Sequence, residues 1–286
     1  MKQQNNVSVK WLGVAGIIAL VVIVSLITVK LATPSGQNKA QSVADKVINN
    51  GEIRIGYIVY PPLLSKDQTT GKLSGVSYDI IEEAAKRLNI KTNWTEEVGW
   101  GSALEGLKTK RYDLLGTQMW PSSARAREAV FSIGPMNSVL YPYVRAGDNR
   151  FNNDLSKINS SDVTISAVDG ELSTFIAAED YPNAKLNTLP QTASYAEVFL
   201  NIVNKKGDVE FAEPSAANDF LKSNPGKIQQ VGNTPVRKYG LDFAFARGED
   251  SMVNMWNVPL NEMINDGSIY RILQKYGVAT DYSINK

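Results

Sequence analysis

The order of strand-like and helix-like segments constrains the fold of this chain more than any other feature. Residues 52–59 alternate apolar and polar side chains and are rich in β-branched residues, which is typical of a strand. Residues 78–88 instead place apolar side chains on one face at helical spacing. A strand at 90–96, a helix at 101–110 and a strand at 112–118 follow. This β-α-β-α-β order predicts an α/β layer with crossover helices.

The same order then begins again. Strands are predicted at 163–168, 185–189, 208–212 and 227–231, and helices at 171–179, 194–205 and 214–222. Two long β-like segments, 138–145 and 236–247, lie between the two series, and the tail at 252–276 is predicted to be helical. Two α/β lobes joined by two crossing segments indicate a hinge. Because open α/β sheets bind ligands beyond the carboxyl ends of their strands, a cleft between the lobes is the expected site.

An uncharged apolar stretch of 19 residues, 11–29, lies between Lys10 and Lys30. As a helix it is about 28 Å long, close to the hydrocarbon thickness of a bilayer. A secretory signal has a shorter apolar core and a small-residue cleavage site, so we favour a membrane anchor over a removed signal. We expect residues 1–33 to anchor the chain with its N-terminus inside, and residues 34–50 to be a polar linker ending in a short helix. A cleaved signal is the alternative, and it leaves a secreted or periplasmic protein.

Composition excludes several kinds of chemistry. The chain has no cysteine and no histidine, which removes thiolate nucleophiles, Ser-His-Asp triads, disulfide scaffolds and zinc or haem sites built on those residues. Its 30 basic and 29 acidic residues give a net charge of +1, without the basic surplus of a nucleic-acid-binding protein. We expect no cofactor and no metal. The residues that remain favour binding, although an enzyme that uses a carboxylate or a lysine stays open.

Several motifs occur in a fixed order along the chain. They are GKLSGVSYD at 71–79, Trp100 followed by YDL at 112–114, RAREAVFS at 125–132, NDGS at 265–268 and ILQKYG at 272–277. Over about residues 51–280 this set resembles the extracellular solute-binding proteins of family 3. These are the type II periplasmic receptors of ABC importers for polar amino acids.

The resemblance implies a two-lobed type II periplasmic-binding-protein fold with a hinge. Lobe 1 would consist of residues 51–143 and 237–286, and lobe 2 of residues 144–236. The implied partners are an amino acid-like small molecule and an ABC permease in the membrane. The chain would be a monomer and would catalyse no reaction.

In lobe 1 the resemblance assigns Arg125 to the ligand's α-carboxylate. A planar guanidinium binds a carboxylate through two hydrogen bonds, whatever the family. The alternative is an ordinary surface arginine. Trp100 corresponds to a residue that stacks on the ligand, and Tyr60 falls near a second aromatic wall, whereas most aromatic residues are core.

Three further lobe 1 residues follow the third strand. Gln118 corresponds to a position whose backbone carbonyl accepts the ligand amine. Trp120 departs from the family, which often has Thr or Ser there, so Trp120 narrows the pocket or adds a stacking face. Ser122 is the candidate that supplies a hydroxyl in its place.

In lobe 2 the residues Gly170 and Ser173 begin a predicted helix, whose free N–H groups can bind a carboxylate. Glu171 is a second departure, because the family has a small hydroxyl residue there and an acid repels an anion. Glu213 corresponds to an acid that pairs with the ligand's α-amino group. The alternative for Glu213 is a helix N-terminal acid that the helix dipole favours.

The two acids in lobe 2, with Trp100 and Trp120, indicate a cationic ligand, either a basic amino acid or a related small amine. Two other functions remain. One is a dehydratase on the same fold, in which Glu171 or Glu213 is a general acid. The other is a ligand-sensing ectodomain, which requires a partner chain for signalling.

Overall fold

The structure is a computed structural model that describes residues 41–285. The predicted anchor at 1–33 and the first part of the predicted linker lie outside these residues. Within residues 41–285 no helix combines the length and the apolarity needed to cross a bilayer. Residues Val43–Lys286 group into one compact unit.

The unit contains thirteen strands and eight α-helices within the described residues. The strands are β1 (Glu52–Tyr57), β2 (Ser65–Lys66), β3 (Leu73–Ser74), β4 (Lys91–Glu97), β5 (Leu114–Met119), β6 (Ala129–Phe131), β7 (Met136–Arg145), β8 (Thr164–Val168), β9 (Lys185–Leu189), β10 (Val209–Ala212), β11 (Ile228–Gln230), β12 (Arg237–Ala246) and β13 (Ser283–Ile284). The α-helices are α1 (Val43–Asn50), α2 (Val76–Arg87), α3 (Ala103–Lys108), α4 (Leu172–Asp180), α5 (Tyr195–Val203), α6 (Pro214–Ser223), α7 (Asp250–Asn265) and α8 (Ser268–Lys275). Short 3₁₀ helices span Arg125–Arg127 and Leu155–Ile158.

One sheet path connects the two predicted lobes in the order β4-β1-β5-β12-β7-β10-β8-β9. In lobe 1, β1 pairs in parallel with β4 and β5, and in lobe 2, β8 pairs in parallel with β9 and β10. The crossing segments, β7 and β12, run antiparallel to each other from Arg237↔Leu140 to Leu241↔Met136. The parallel series therefore meet at a two-stranded antiparallel connection, which confirms the two-lobed α/β fold.

The ends of the chain differ in detail from the sequence expectation. The short helix expected at the end of the linker is α1, and its Ala44 and Val47 are buried in the main core, so these residues belong to the compact unit. The helical tail is divided in two. Gly267, at φ 77°, adopts the left-handed conformation between α7 and α8. Glycine reaches that conformation without steric cost, and the helix direction changes there.

Candidate functional site

Arg125 lies just beyond the carboxyl end of β5, at the start of the 3₁₀ turn. Its side chain is buried, at 7% exposure. The guanidinium Nη1 donates to the backbone carbonyl of Trp120 at 2.9 Å, and the guanidinium carbon lies 4.2 Å from the centroid of the Trp120 ring. Lobe 1 thus holds this cation both by a carbonyl acceptor and by an aromatic face, which attracts cations.

The same guanidinium also contacts lobe 2. Its Nη2 donates to the carbonyl of Gly170 at 3.2 Å, and the ring of Phe175 lies 5.8 Å from its carbon atom. Phe175 in turn meets Trp120 edge to face, at 5.2 Å between ring centroids. Burial lowers the pKa of Arg125 to about 10, against an opposing contribution from Glu171. The arginine therefore spans the cleft between the lobes and does not point into bulk solvent.

An interlobe pocket of about 460 Å³ opens beside this contact. Of the ten predicted site residues, Tyr60 and Trp100 line it, together with Tyr195 of lobe 2. The ring of Tyr60 lies 5.6 Å from Trp100 and 5.0 Å from Tyr195, measured between centroids. Trp100 is half-buried, whereas Tyr60 is 7% exposed. Tyr60 and Trp100 therefore lie together at this pocket, and Tyr195 of lobe 2 lies beside Tyr60.

Gly101 in the loop before α3 allows the lobes to approach closely. A Cβ atom added there would lie 2.3 Å from the side chain of Gln191 in lobe 2. From the other lobe, a Cβ on Gly170 would lie 2.9 Å from the backbone nitrogen of Gly101. Gly170 also has a φ of 78°, which glycine adopts without strain. The backbone of each lobe thus rests on the other beside Trp100.

Glu213 follows β10 and is almost fully buried, at 1% exposure. Its carboxylate accepts hydrogen bonds from Tyr60 of lobe 1 at 3.1 Å, from Tyr282 at 3.3 Å and from Tyr239 of the crossing strand. Burial raises the pKa of Glu213, while the hydrogen bonds lower it in part. The Glu213 side chain makes no capping hydrogen bond to α6, and its carboxylate is instead bound by the three tyrosine hydroxyls.

Glu171 changes the predicted anion site at the start of α4. Its carboxylate is itself the N-cap, because it accepts a hydrogen bond from the Ser173 amide at 2.8 Å. The amide of Ser173 is therefore not free for a ligand carboxylate, contrary to the sequence expectation. The Ser173 hydroxyl donates to the carbonyl of Phe211 at 2.6 Å, so this hydroxyl is bound to β10 within lobe 2. Burial raises the pKa of Glu171.

Two predicted polar residues serve the structure of lobe 1. The Gln118 side chain accepts from the Ser77 hydroxyl at 3.1 Å and donates to the Leu241 carbonyl at 2.8 Å. The Ser122 hydroxyl accepts from the Arg125 amide at 3.2 Å. Gln118 therefore ties β5 to the crossing strand, and Ser122 fixes the turn that carries the arginine.

Sequence reasoning missed Glu210 and Tyr195. Glu210 lies inside β10 and is fully buried, with burial and the charge of Glu171 raising its pKa well above the usual value. An acid within the apolar run Val209–Ala212 was the available signal, because buried strands of this kind are otherwise apolar. Tyr195 is the first residue of α5. The sequence around it indicates only a helix start, through the capping box of Ser194 and Glu197, and nothing that marks Tyr195 as a site residue. No cluster of acids suited to a metal ion occurs among residues 41–285.

Several known proteins are similar to this chain over most of its length. The L-cystine-binding protein TcyA of Bacillus subtilis is 22% identical over 271 residues, which cover 91% of this chain and 96% of that protein. The crystal structure of the cysteine-binding protein of Campylobacter jejuni matches with a TM-score of 0.73 at 19% identity, covering 86% of this chain and all of its own. An ancestral amino acid-binding protein, a precursor of cyclohexadienyl dehydratase, matches with a TM-score of 0.72 at 24% identity, covering 82% of this chain and 99% of its own.

These structural matches show a shared fold. A family model covers most of the chain, from residue 53 to residue 279. Both crossing strands, the turn of Arg125 and the strand before Glu213 fall within that match. The chain therefore belongs to the bacterial extracellular solute-binding proteins of family 3.

Proposed function

We propose that this protein captures an amino acid in the cleft between its lobes and delivers it to an ABC permease. The observation that carries the proposal is Arg125, a buried guanidinium that contacts both lobes. Two of its N–H groups bond to carbonyls, and the others can bind a carboxylate, since a guanidinium has five donors. A carboxylate at this point would hold the two lobes together.

The other residues complete a binding site for an α-amino acid. Glu213 is the acceptor for the α-ammonium group, and the backbone carbonyl of Gln118 is a second acceptor on the lobe 1 side. Tyr60 and Trp100 form the apolar walls, and the Trp120 ring fixes the arginine. Binding in an open cleft followed by closure of the lobes buries the ligand and presents one shape to the permease.

We assign the lobes as residues 51–143 with 237–286, and residues 144–236. The boundary at 236/237 falls where β12 begins to pair with β7, and the boundary at 143/144 lies within β7, beyond its last pair with β12 at Leu140. A two-stranded connection can twist with small changes in several residues, which is the usual form of a hinge between domains.

Similar proteins support an amino acid as the ligand. The relative from Bacillus subtilis binds L-cystine, the protein from Campylobacter jejuni binds cysteine, and a structure from Wolinella succinogenes holds lysine. All of these ligands share an α-carboxylate and an α-ammonium group. The proposed roles of Arg125 and Glu213 use that shared part and do not depend on the side chain.

We further propose that the chain makes and breaks no bond, and that residues 11–29 anchor it outside the cytoplasmic membrane as a monomer. The dehydratase alternative places a general acid at Glu171 or Glu213. However, Glu171 caps α4 and Glu213 accepts from three tyrosine hydroxyls. Incubation with prephenate or arogenate is expected to give no product, and turnover would contradict this part of the proposal.

The main experiment is a thermal-shift screen of the twenty amino acids and common polyamines against the full chain in detergent. A ligand that binds the folded state alone raises the melting temperature by mass action. At least one amino acid is expected to raise it, with a dissociation constant of tens of micromolar or lower from calorimetry. No shift by any amino acid at millimolar concentration would contradict the proposed function.

A further inference from the structure

Strand β10 carries a glutamate in the interior of lobe 2. Glu210 lies between Val209 and Phe211 in the strand, and its side chain is fully buried. One of its carboxylate oxygens lies 3.4 Å from the hydroxyl of Ser173. The other has no hydrogen-bond partner within residues 41–285. Buried polar groups in folded proteins are normally paired, so this oxygen requires an explanation.

Two neutral hydroxyls in the same region also lack partners in the described part of the chain. One belongs to Tyr195, whose ring is 8% exposed and lies on the wall of the interlobe pocket. The other belongs to Ser166 in β8. Since Ile165 pairs with Val209 in parallel register and side chains alternate, Ser166 and Glu210 lie on the same face of the sheet.

Glu171 belongs to the same group of side chains. Its charge contributes to the raised pKa of Glu210, and the charges of both glutamates contribute to the raised pKa of Tyr195, after burial itself. Ser173 contacts both acids, since its amide donates to Glu171 at 2.8 Å and its hydroxyl lies 3.4 Å from a carboxylate oxygen of Glu210. Tyr195 is the member of this group that lines the interlobe pocket.

The charges at the cleft are unbalanced. Among the described residues, the buried charged side chains are Arg125, Glu171, Glu210 and Glu213, which makes one cation against three acids. A zwitterionic amino acid adds no net charge and leaves this imbalance unchanged. A ligand with one more positive group reduces it, because an opposite charge nearby stabilises a buried carboxylate.

Resting on the proposed function, we infer that Glu171, Glu210 and the hydroxyl of Tyr195 form a second cation subsite, and that the ligand is a dibasic amino acid. Arg125 holds its α-carboxylate and Glu213 its α-ammonium group. The second subsite binds the side-chain ammonium or guanidinium. Such a group brings three to five N–H donors to a site where one oxygen of Glu210 has no donor among the described residues.

The inference also excludes one class of ligand. Glutamate and aspartate carry a side-chain carboxylate with no second ammonium group, and this carboxylate would be repelled by Glu171 and Glu210. Citrulline and norleucine match arginine and lysine in length but lack the side-chain charge. They would bring no second positive charge to Glu171 and Glu210, although the neutral ureido group of citrulline still has N–H donors.

Calorimetry on the full chain tests the subsite. The affinity for arginine is compared with that for citrulline, and the affinity for lysine with that for norleucine. We expect the charged member of each pair to bind about 10-fold or more tightly, because truncation of a buried charge pair has a large effect. Glu210→Gln keeps the shape of the side chain. It is expected to weaken the binding of arginine, while the affinity for citrulline stays within about twofold of that of the parent. The matched control is Glu105→Gln on the exposed face of α3, which should change neither.

The outcomes separate the two proposals. A chain that binds no amino acid contradicts the proposed function itself. A chain that binds citrulline as tightly as arginine overturns the second subsite alone. Equal losses of affinity for arginine and citrulline in Glu210→Gln would show that Glu210 has a merely structural role, and they would also overturn the second subsite. Should Glu210→Gln fail to fold by circular dichroism, Tyr195→Phe removes one hydroxyl from the subsite, and the same loss of preference for arginine is expected.

Discussion

The guanidinium of Arg125 lies over the indole ring of Trp120, with 4.2 Å between the guanidinium carbon and the ring centroid. The same tryptophan accepts a hydrogen bond from this arginine through its backbone carbonyl. Phe175 of lobe 2 packs against both side chains. The orientation of Arg125, which is proposed to bind the ligand carboxylate, thus depends on Trp120 of lobe 1 and Phe175 of lobe 2. The family often has Thr or Ser at position 120. The Trp120 side chain does not supply the hydroxyl of those residues but fixes the guanidinium of Arg125.

Replacement of Arg125 by alanine is expected to weaken amino acid binding by about 2–5 kcal/mol, because a buried ligand carboxylate would lose its charged partner. Arg127→Ala is the matched control, since Arg127 lies two residues away in the same turn and is exposed. Calorimetry with the best-binding amino acid measures both variants. Affinity of Arg125→Ala within about threefold of the parent would contradict the role of this arginine.

Replacement of Gly170 by alanine is expected to prevent full closure of the lobes. The added methyl group would lie 2.9 Å from the backbone nitrogen of Gly101, where no flexible side chain can move aside. Gly147→Ala is the control. Gly147 also has a positive φ, 83°, but a Cβ there would meet nothing within 4 Å.

Both glycine variants should lose about 1 kcal/mol of folding free energy from backbone strain alone. Only Gly170→Ala should also lose ligand affinity, by about 10-fold or more, since a clash between lobes acts on the closed state. Denaturant unfolding and calorimetry separate the two effects. Equal affinities of the two variants would show that closure does not bring these backbones together.

The order of elements was predictable because it follows from hydrophobic periodicity, which is local. Two long β-like segments that cross between the two α/β series were also predicted, whereas their antiparallel pairing as β7 and β12 is visible only in the structure. The position of Arg125 after the third strand was predictable for the same reason. Its stacking on Trp120 was not, because that contact depends on Phe175, which comes from the other lobe.

The acids of lobe 2 show where local reasoning stops. Glu171 was expected to oppose an anion, and it instead occupies the N-terminus of α4 itself, which the spacing to Ser173 allows. The tyrosines around Glu213 come from segments 153, 26 and 69 residues away, so no short window contains them. Glu210 could have been noticed as an acid inside an apolar strand, but its lack of partners is visible only in three dimensions.

Asp242 in the crossing strand β12 predicts a pH dependence of stability. Burial raises its pKa to about 7. Since the charged form is disfavoured in the folded protein, stability is unaffected below the unfolded pKa of about 4 and falls as the pH rises towards 7. The free energy of unfolding of Asp242→Asn should therefore equal that of the parent at pH 4. At pH 8 it should exceed the parent's by about 1–2 kcal/mol, after allowance for partial exposure to solvent.

Asp266 provides a contrast of opposite sign. Its hydrogen bonds with Ser268, aided by Arg87, lower its pKa to about 2. Its contribution to stability is present above the unfolded pKa and is lost as the pH falls through the folded pKa. Asp266→Asn should be less stable than the parent at pH 7, with the difference shrinking at acid pH. Urea unfolding at each pH measures both variants, and parallel curves for Asp242→Asn and the parent would contradict the assignment.

Glu213 is expected to recognise the α-ammonium group specifically. Glu213→Gln keeps one oxygen that can accept from Tyr60 and Tyr282, and its amide nitrogen can donate to the hydroxyl oxygen of Tyr239, but the negative charge is lost. A hydrogen bond to a charged group contributes about 1.5–3 kcal/mol, so affinity for the best-binding amino acid should fall by that amount. Glu128→Gln, on the exposed surface near Arg125, is the matched control and should bind like the parent.

Comparison of this amino acid with its analogue lacking the α-amino group separates recognition from a general loss of folding. The parent should prefer the amino acid, whereas Glu213→Gln should bind the two compounds with similar affinity, because the group that distinguishes them would have lost its partner. Retention of the parent's preference by Glu213→Gln would place the α-ammonium group elsewhere in the cleft. The three tyrosine hydroxyls would then indicate that Glu213 serves to hold the lobes to the crossing strand and the C-terminal segment.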